Sequence, residues 1–188
     1  MTSLNLFPLV VNGQPVDANL WFNPIAEAVS ELDGIRDELD PRPFGVIKRG
    51  RRTTASTASA AEIGVMRLPL VPLTFGRAYR ISTTNLQLSS TTSTDLVVAK
   101  IRIATDGSTA TTASTDIGIV QGLSNGFPSG PIVTEYYPAG ADEQLSVLLT
   151  CARGSGAGNA RILGATTWPI SLFVEDIGLD PGNEGIPL

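Results

Sequence analysis

The sequence predicts a mainly β protein, an antiparallel β-sandwich or jelly-roll head preceded by an extended N-terminal arm and one short helix. Three observations predict it. From Pro43 onward, apolar and polar residues alternate with a period of two over several short runs. Clusters rich in Gly, Ser, Thr, Asn and Asp separate those runs. Ahead of them, Ile25, Ala28, Leu32, Ile35 and Leu39 recur at spacings of three and four, the period of a helix.

The arm, residues 1–22, mixes Leu4, Leu6, Phe7, Leu9 and Val10 with the turn signal Asn12-Gly13 and with Pro8 and Pro15. Its apolar side chains have too few local neighbours to form a core, so Leu6, Phe7, Trp21 and Phe22 are expected to dock on another chain or on the head. Asn23-Pro24 then opens a helix over 23–41, with Asn as N-cap and Pro at the first helical position. Asp40-Pro41 ends it. A lone helix of roughly 15 residues is marginal in water, and Gly34 weakens this one by about 1 kcal/mol relative to Ala. It needs packing to exist. The seam of Ile25, Ala28, Leu32, Ile35 and Leu39 supplies that packing in a parallel coiled coil of two or three chains, with Glu27, Glu31, Asp33, Asp37 and Glu38 outside. The same pattern fits an amphipathic helix lying on the protein's own sheet.

The head is expected over 43–177. Val97, Ala99, Ile101 and Ile103 alternate with Val98, Lys100 and Arg102, which puts aliphatic groups on one face and charge on the other. Leu145, Val147, Leu149 and Cys151 repeat the pattern, as do Ile170, Leu172 and Val174. Each reads as a half-buried strand. Further strands are expected over 46–52, 62–68, 77–89, 117–121, 132–137 and 160–164. Asp106-Gly107 reads as a hairpin turn, and the glycine-rich run 154–158 is expected to close another hairpin. Hydroxyl-rich stretches at 53–61, 89–94 and 108–115 read as loops or extended edges. The aperiodic run 178–188 is expected to be a C-terminal arm.

Bulk composition narrows the function. At 188 residues and 42% apolar content, the chain is long enough to bury a real core. Charged residues are only 16% of it, against roughly 25% in average soluble proteins. The surface is therefore largely hydroxylic. A formal charge of −5 argues against a general nucleic-acid binder, whose affinity rests on neutralising phosphates. Lys48, Arg49, Arg51 and Arg52 form the one basic cluster, read either as a solvated strand end or as a contact for an acidic partner or a sugar acid. The N-terminus lacks the marks of a signal peptide, and no run of about twenty apolar residues suggests a membrane span. Synthesis and assembly in the cytoplasm are expected, without nucleic-acid or membrane partners.

Chemistry finds few handles. The chain contains no histidine, which removes the imidazole base of most hydrolase designs and the usual Cys/His metal sites. Cys151 is the single cysteine and sits in an apolar run, so it reads as a buried, inert thiol. Glu135, Asp142, Glu143, Glu175 and Asp176 are available for carboxylate chemistry, but no pattern selects two of them as partners. Asp106-Gly107-Ser108 with Asp116 does not match the spacing of an EF-hand, and 154–158 lacks the Lys-Ser/Thr of a phosphate loop. Hence no catalytic residues, no metal ligands and no cofactor are assigned. Tyr136 and Tyr137 form an aromatic patch, with one ring expected in the core and the other available as a surface contact.

Four strings carry a resemblance: Gly50-Arg51-Arg52-Thr53-Thr54, Tyr79-Arg80-Ile81-Ser82-Thr83-Thr84, Ile103-Ala104-Thr105-Asp106-Gly107-Ser108-Thr109 and Leu172-Phe173-Val174-Glu175-Asp176-Ile177-Gly178. Over about residues 45 to 185 the chain resembles small virion proteins of tailed phages infecting actinobacteria, labelled minor tail proteins. The resemblance implies a non-enzymatic structural protein with a β-sandwich head, built as a homotrimer into the tail, the tail tip or, less often, the capsid surface. It implies other virion proteins as partners and a location in the virion. Two rival readings stand beside it: a capsid decoration protein stapling neighbouring shell subunits, and a module binding a host-surface glycan or receptor.

Overall fold

The computed structural model describes residues 10–11, 14–15, 43–128 and 130–180. The chain divides into two compact units, Met1–Arg42 and Pro43–Leu188. In the first, β1 (Val10–Val11) and β2 (Gln14–Pro15) pair antiparallel on either side of Asn12-Gly13. The arm residues Leu6, Phe7, Trp21 and Phe22 and the helical seam Ile25, Ala28, Leu32, Ile35 and Leu39 lie outside the described residues, as does 181–188.

The second unit is an antiparallel β-sandwich, as the alternation predicts. One four-stranded sheet joins β3 (Gly45–Arg52), β5 (Arg77–Thr84), β10 (Val133–Tyr136) and β13 (Ile170–Leu179) in the order β10-β5-β13-β3. The other joins β4 (Ile63–Leu73), β7 (Leu96–Ala104), β8 (Thr115–Leu123) and β11 (Glu143–Ser155) in the order β4-β11-β7-β8. A three-stranded sheet of β6 (Gln87–Ser90), β9 (Asn125–Pro128) and β12 (Ala160–Leu163) runs β12-β6-β9. Inward-facing Ile81, Leu172 and Val174 from the first sheet meet Val71, Ile101, Leu145 and Leu149 from the second in one core, to which Leu88 and Ile162 of the third also belong. This interdigitation of two inner faces is what period-two patterning encodes.

Six details differ from what the sequence predicts, each for a physical reason. β11 is not half-buried: every residue from Leu145 to Cys151 is buried, because the strand is flanked by β4 and β7 and its outer face is covered. Ser146 on that face accepts a hydrogen bond from the Ala110 amide at 3.0 Å, so the β7–β8 connection lies across it. Asp106-Gly107 belongs to this long connection and not to a two-residue hairpin turn.

The glycine-rich run does not close a hairpin. β11 leads through it into β12, which pairs with β6 in a different sheet. Strand β4 passes through Pro69 and Pro72, where the sequence alone predicts an end at Leu68. It is the edge of its sheet, where a missing N–H is tolerated, and a register shift with Leu70 at φ 47° absorbs the kink. The strand expected over 77–89 breaks at Asn85, whose φ of 57° turns the chain into the third sheet. Finally, β13 runs to Leu179, two residues past the expected end of the head.

Truncating a core contact should be costly where both sheets meet and cheap at the edge. Leu149→Ala should lower the unfolding free energy by about 2–5 kcal/mol in urea titration. Ile119→Ala, at an exposed position of β8, should change it by less than about 0.5 kcal/mol.

Candidate functional site

The ionisable groups of the sandwich are mostly committed to holding strands and loops together. Glu62 receives both Nε (2.6 Å) and Nη2 (2.8 Å) of Arg102, and the Thr150 hydroxyl donates to it at 2.7 Å. The guanidinium of Arg102 holds the Glu62 carboxyl below the usual glutamate range, and Glu62 in turn raises Arg102. This cluster satisfies the outer, polar face of the buried strand β11. Lys100 pairs with Asp116 at 3.3 Å along the same sheet.

Asp95 is a second lock. It is almost fully buried and accepts hydrogen bonds from the Ser90 hydroxyl (2.6 Å) and from the amides of Ala157 (3.1 Å) and Gly158 (2.8 Å). These donors, the Ser90 hydroxyl first, lower its pKa. A Cβ at Gly156 or Gly158 would strike the Asp95 carboxylate, at 1.9 Å and 2.5 Å, and Gly156 also adopts φ 101°. The glycine-rich run is thus a cradle for an internal carboxylate. At the opposite ladder, Arg77 grips Asp176 with Nε at 2.6 Å and Nη2 at 2.8 Å, and the Gly178 amide donates to Asp176 at 2.9 Å.

Of the sequence-predicted contact residues, Tyr136 packs partly buried against the core and Tyr137 is exposed. Burial, and then the neighbouring Glu143, raises the Tyr136 hydroxyl well above its ordinary range while it donates to that carboxylate. Glu143 also accepts from the Ala139 amide, and Tyr137 donates to Glu135 at 2.6 Å. Asp142 accepts from the Phe75 amide at 2.8 Å. The carboxylates considered for chemistry therefore fasten turns, or, for Glu175, lie beside Arg80 and Val46 in the ladder. Cys151 is buried and its thiol is pushed up to about 12, chiefly by burial, which suppresses thiolate chemistry.

Three surface features stand out among the described residues. The first is the end of the sandwich where β3 begins and β13 ends. There Phe44 is 63% exposed, and Val46, Phe75 and Leu179 are exposed too. The Arg77 guanidinium lies 4.3 Å from the Phe44 ring centroid, and the Asp180 amide donates to Gly76, so these groups share one end. The second is the outer face of β3 and β13, where Arg49 lies 5.0 Å from the Phe173 ring centroid and Arg51 reaches the Thr166 carbonyl at 3.5 Å. An open groove of about 350 Å³ beside the β7–β8 connection is lined by Asp106, Ser108, Ser114 and Thr115 among others. Ser108 hydrogen bonds lower the Asp106 pKa there. Among the described residues, no three His, Cys, Asp or Glu side chains gather as a metal site.

No local pattern in the sequence marks Asp95, Asn85 or the exposed Trp168. Only Asp95 leaves a trace, as an acidic residue opening the alternating run 96–104.

No family model and no curated protein matches the sequence. Among solved structures the chain is similar to the sugar-binding C-terminal domain of EclA, with 14% identity over 68% of this chain and 77% of that one and a TM-score of 0.35. It is similar also to a chain of the cyanophage Pam1 capsid asymmetric unit (14% identity, 71% and 87% covered, TM-score 0.27). A third is from infectious bursal disease virus, Gx strain (10% identity, 73% and 38% covered, TM-score 0.26). Scores of this size fix neither ancestry nor role.

The lowered Glu62 pKa sets the sign of a pH effect. Its stabilising contribution is fully present above the unfolded-state glutamate pKa and is lost as pH falls through the lower folded-state value. The wild type should therefore exceed Glu62→Gln in stability at pH 7, and the gap should close at acid pH in urea titrations.

Proposed function

We propose that this chain is a non-enzymatic structural protein of a tailed-phage virion, a homotrimeric component of the tail or tail tip. The observation that carries this reading is the apolar end formed by Phe44, Val46, Phe75 and Leu179. Exposed aromatic and aliphatic groups gathered at one place mark a surface that other protein covers. The acidic and basic groups described above support it from the other side, since most of them fasten strands and turns and so are tied to structure. The resemblance of four strings to those of minor tail proteins supports the same reading. Trimer formation falls to the seam Ile25, Ala28, Leu32, Ile35 and Leu39, and docking on other virion proteins to the arm and the apolar end. Burying those groups favours assembly by roughly 25 cal/mol for each Å² of apolar surface removed from water.

Sedimentation tests the seam. Leu32→Asp with Ile35→Asp should yield folded but monomeric heads, with the β-sheet circular dichroism of the wild type. A double variant that sediments as the native oligomer removes the seam from the account. Densitometry of purified particles separates tail from shell: a tail component is present in tens of copies at most, a decoration protein in hundreds.

A further inference from the structure

The outer corner of the first sheet presents an arrangement that neither the core nor the assembly reading uses. Along β3, a Cβ at Gly50 would face Leu68 and Met66 of β4, at 2.8 Å and 3.0 Å. Gly50 therefore points inward, and Arg49 and Arg51 on either side of it point outward, roughly 7 Å apart along the strand. Both are exposed. In the ladder Arg51 stands opposite Ser171, which is followed by Thr84, while Arg49 stands opposite Phe173, which is followed by Ser82. Neither of these two rows contains a carboxylate.

The arginines of the sandwich differ in how they are held. Arg52, Arg77 and Arg102 meet carbonyl or carboxylate acceptors at 2.6–2.9 Å. Arg49 and Arg51 reach only Ser171 Oγ and the Thr166 carbonyl, both at 3.5 Å, with Arg49 laid on the Phe173 ring. Among the described residues, their remaining N–H groups meet no hydrogen-bond acceptor.

Beside them lies a fastened turn. Ala165 and Trp168 exchange backbone hydrogen bonds, Arg51 contacts the Thr166 carbonyl on one side, and the Asn85 side chain donates to the Pro169 carbonyl at 3.1 Å on the other. The turn holds Trp168 with 55% of its surface exposed. An exposed indole on a turn that Arg51 touches, with Arg49 two residues along the same strand and exposed Thr84 and Asn85 nearby, brings a stacking face, anion donors and neutral hydrogen-bonding groups to one corner.

We propose that this corner, built from Arg49, Arg51, Thr84, Asn85 and Trp168, is a docking surface for a polysaccharide whose sugars carry carboxylates. Guanidinium forks match carboxylates in planar, two-bond geometry. Trp168 offers its apolar face to a sugar ring, and Thr84 and Asn85 offer partners to ring hydroxyls. Nucleic acid fits poorly, because two arginines neutralise few phosphates and the chain carries −5 overall. An acidic peptide would match the charge but gives Trp168 no particular role. The inference is independent of trimer formation and location in the particle.

The test is titration calorimetry of the full chain with polygalacturonate, with dextran, poly-glutamate and duplex DNA as comparators. Saturable binding to polygalacturonate, weakened by added salt and absent with dextran, is expected. Arg49→Gln and Arg51→Gln should each weaken it about tenfold, the loss of one charge-assisted hydrogen bond. Trp168→Ala should weaken it by a similar factor, about that of a truncated aromatic anchor. Thr84→Asp, which adds a like charge at the surface and leaves both arginines in place, should abolish it while the thermal midpoint stays within a few degrees. No binding of polygalacturonate overturns the proposal. So does equal or tighter binding of poly-glutamate or DNA, or binding that Trp168→Ala leaves unchanged.

Discussion

The rest of the sandwich depends on the burial of β11 on both faces. Its inner face, Leu145, Val147, Leu149 and Cys151, is ordinary core. Its outer face carries Ser146, Leu148 and Thr150, and a buried hydroxyl costs free energy unless it is bonded. The fold answers with Glu62 and Arg102 around Thr150 and with the β7–β8 connection across Ser146. Each of those partners is thereby fixed in place. Arg102 also holds the Ser114 carbonyl, so the same cluster anchors the far end of the connection. Local satisfaction of one strand sets the path of a loop and of the segment leading into β4.

Much of this was legible in the sequence, and the reason is periodicity. The runs at 97–103 and 170–174 name their own inner faces, because side chains alternate and one face of each run is wholly aliphatic. What stayed hidden depends on residues distant in the chain. The glycine-rich run looks like a hairpin turn until Asp95, about sixty positions earlier, is placed inside it. Leu145 to Cys151 looks half-buried because the cover for its outer face comes from other segments. Pro69 and Pro72 suggest an end to β4, and only its position at a sheet edge makes them tolerable.

The candidate sites divide the same way. The Tyr136 and Tyr137 pair is visible in the sequence as adjacent rings; Tyr136 ends β10 and packs on the core, and Tyr137 lies just past it. The corner at Arg51 was half visible, as a basic cluster in which Arg52 turns out to serve the structure while Arg49 and Arg51 face out. Its other half, Trp168 and Asn85, joins through contacts spanning 115 and 84 positions, which no local pattern announces.

Together these features describe a head whose internal charges hold its strands, whose apolar end suits neighbouring protein and whose corner suits an anionic ligand. The account turns on the claim that the chain is built to be one part of a larger particle. Electron cryomicroscopy of the phage particle to which the proposed function assigns the chain tests that most directly. It should show this sandwich repeated around a three-fold axis in the tail, with the Phe44 and Phe75 end covered by protein. A particle lacking the sandwich, or one that leaves this end bare in solvent, would contradict it.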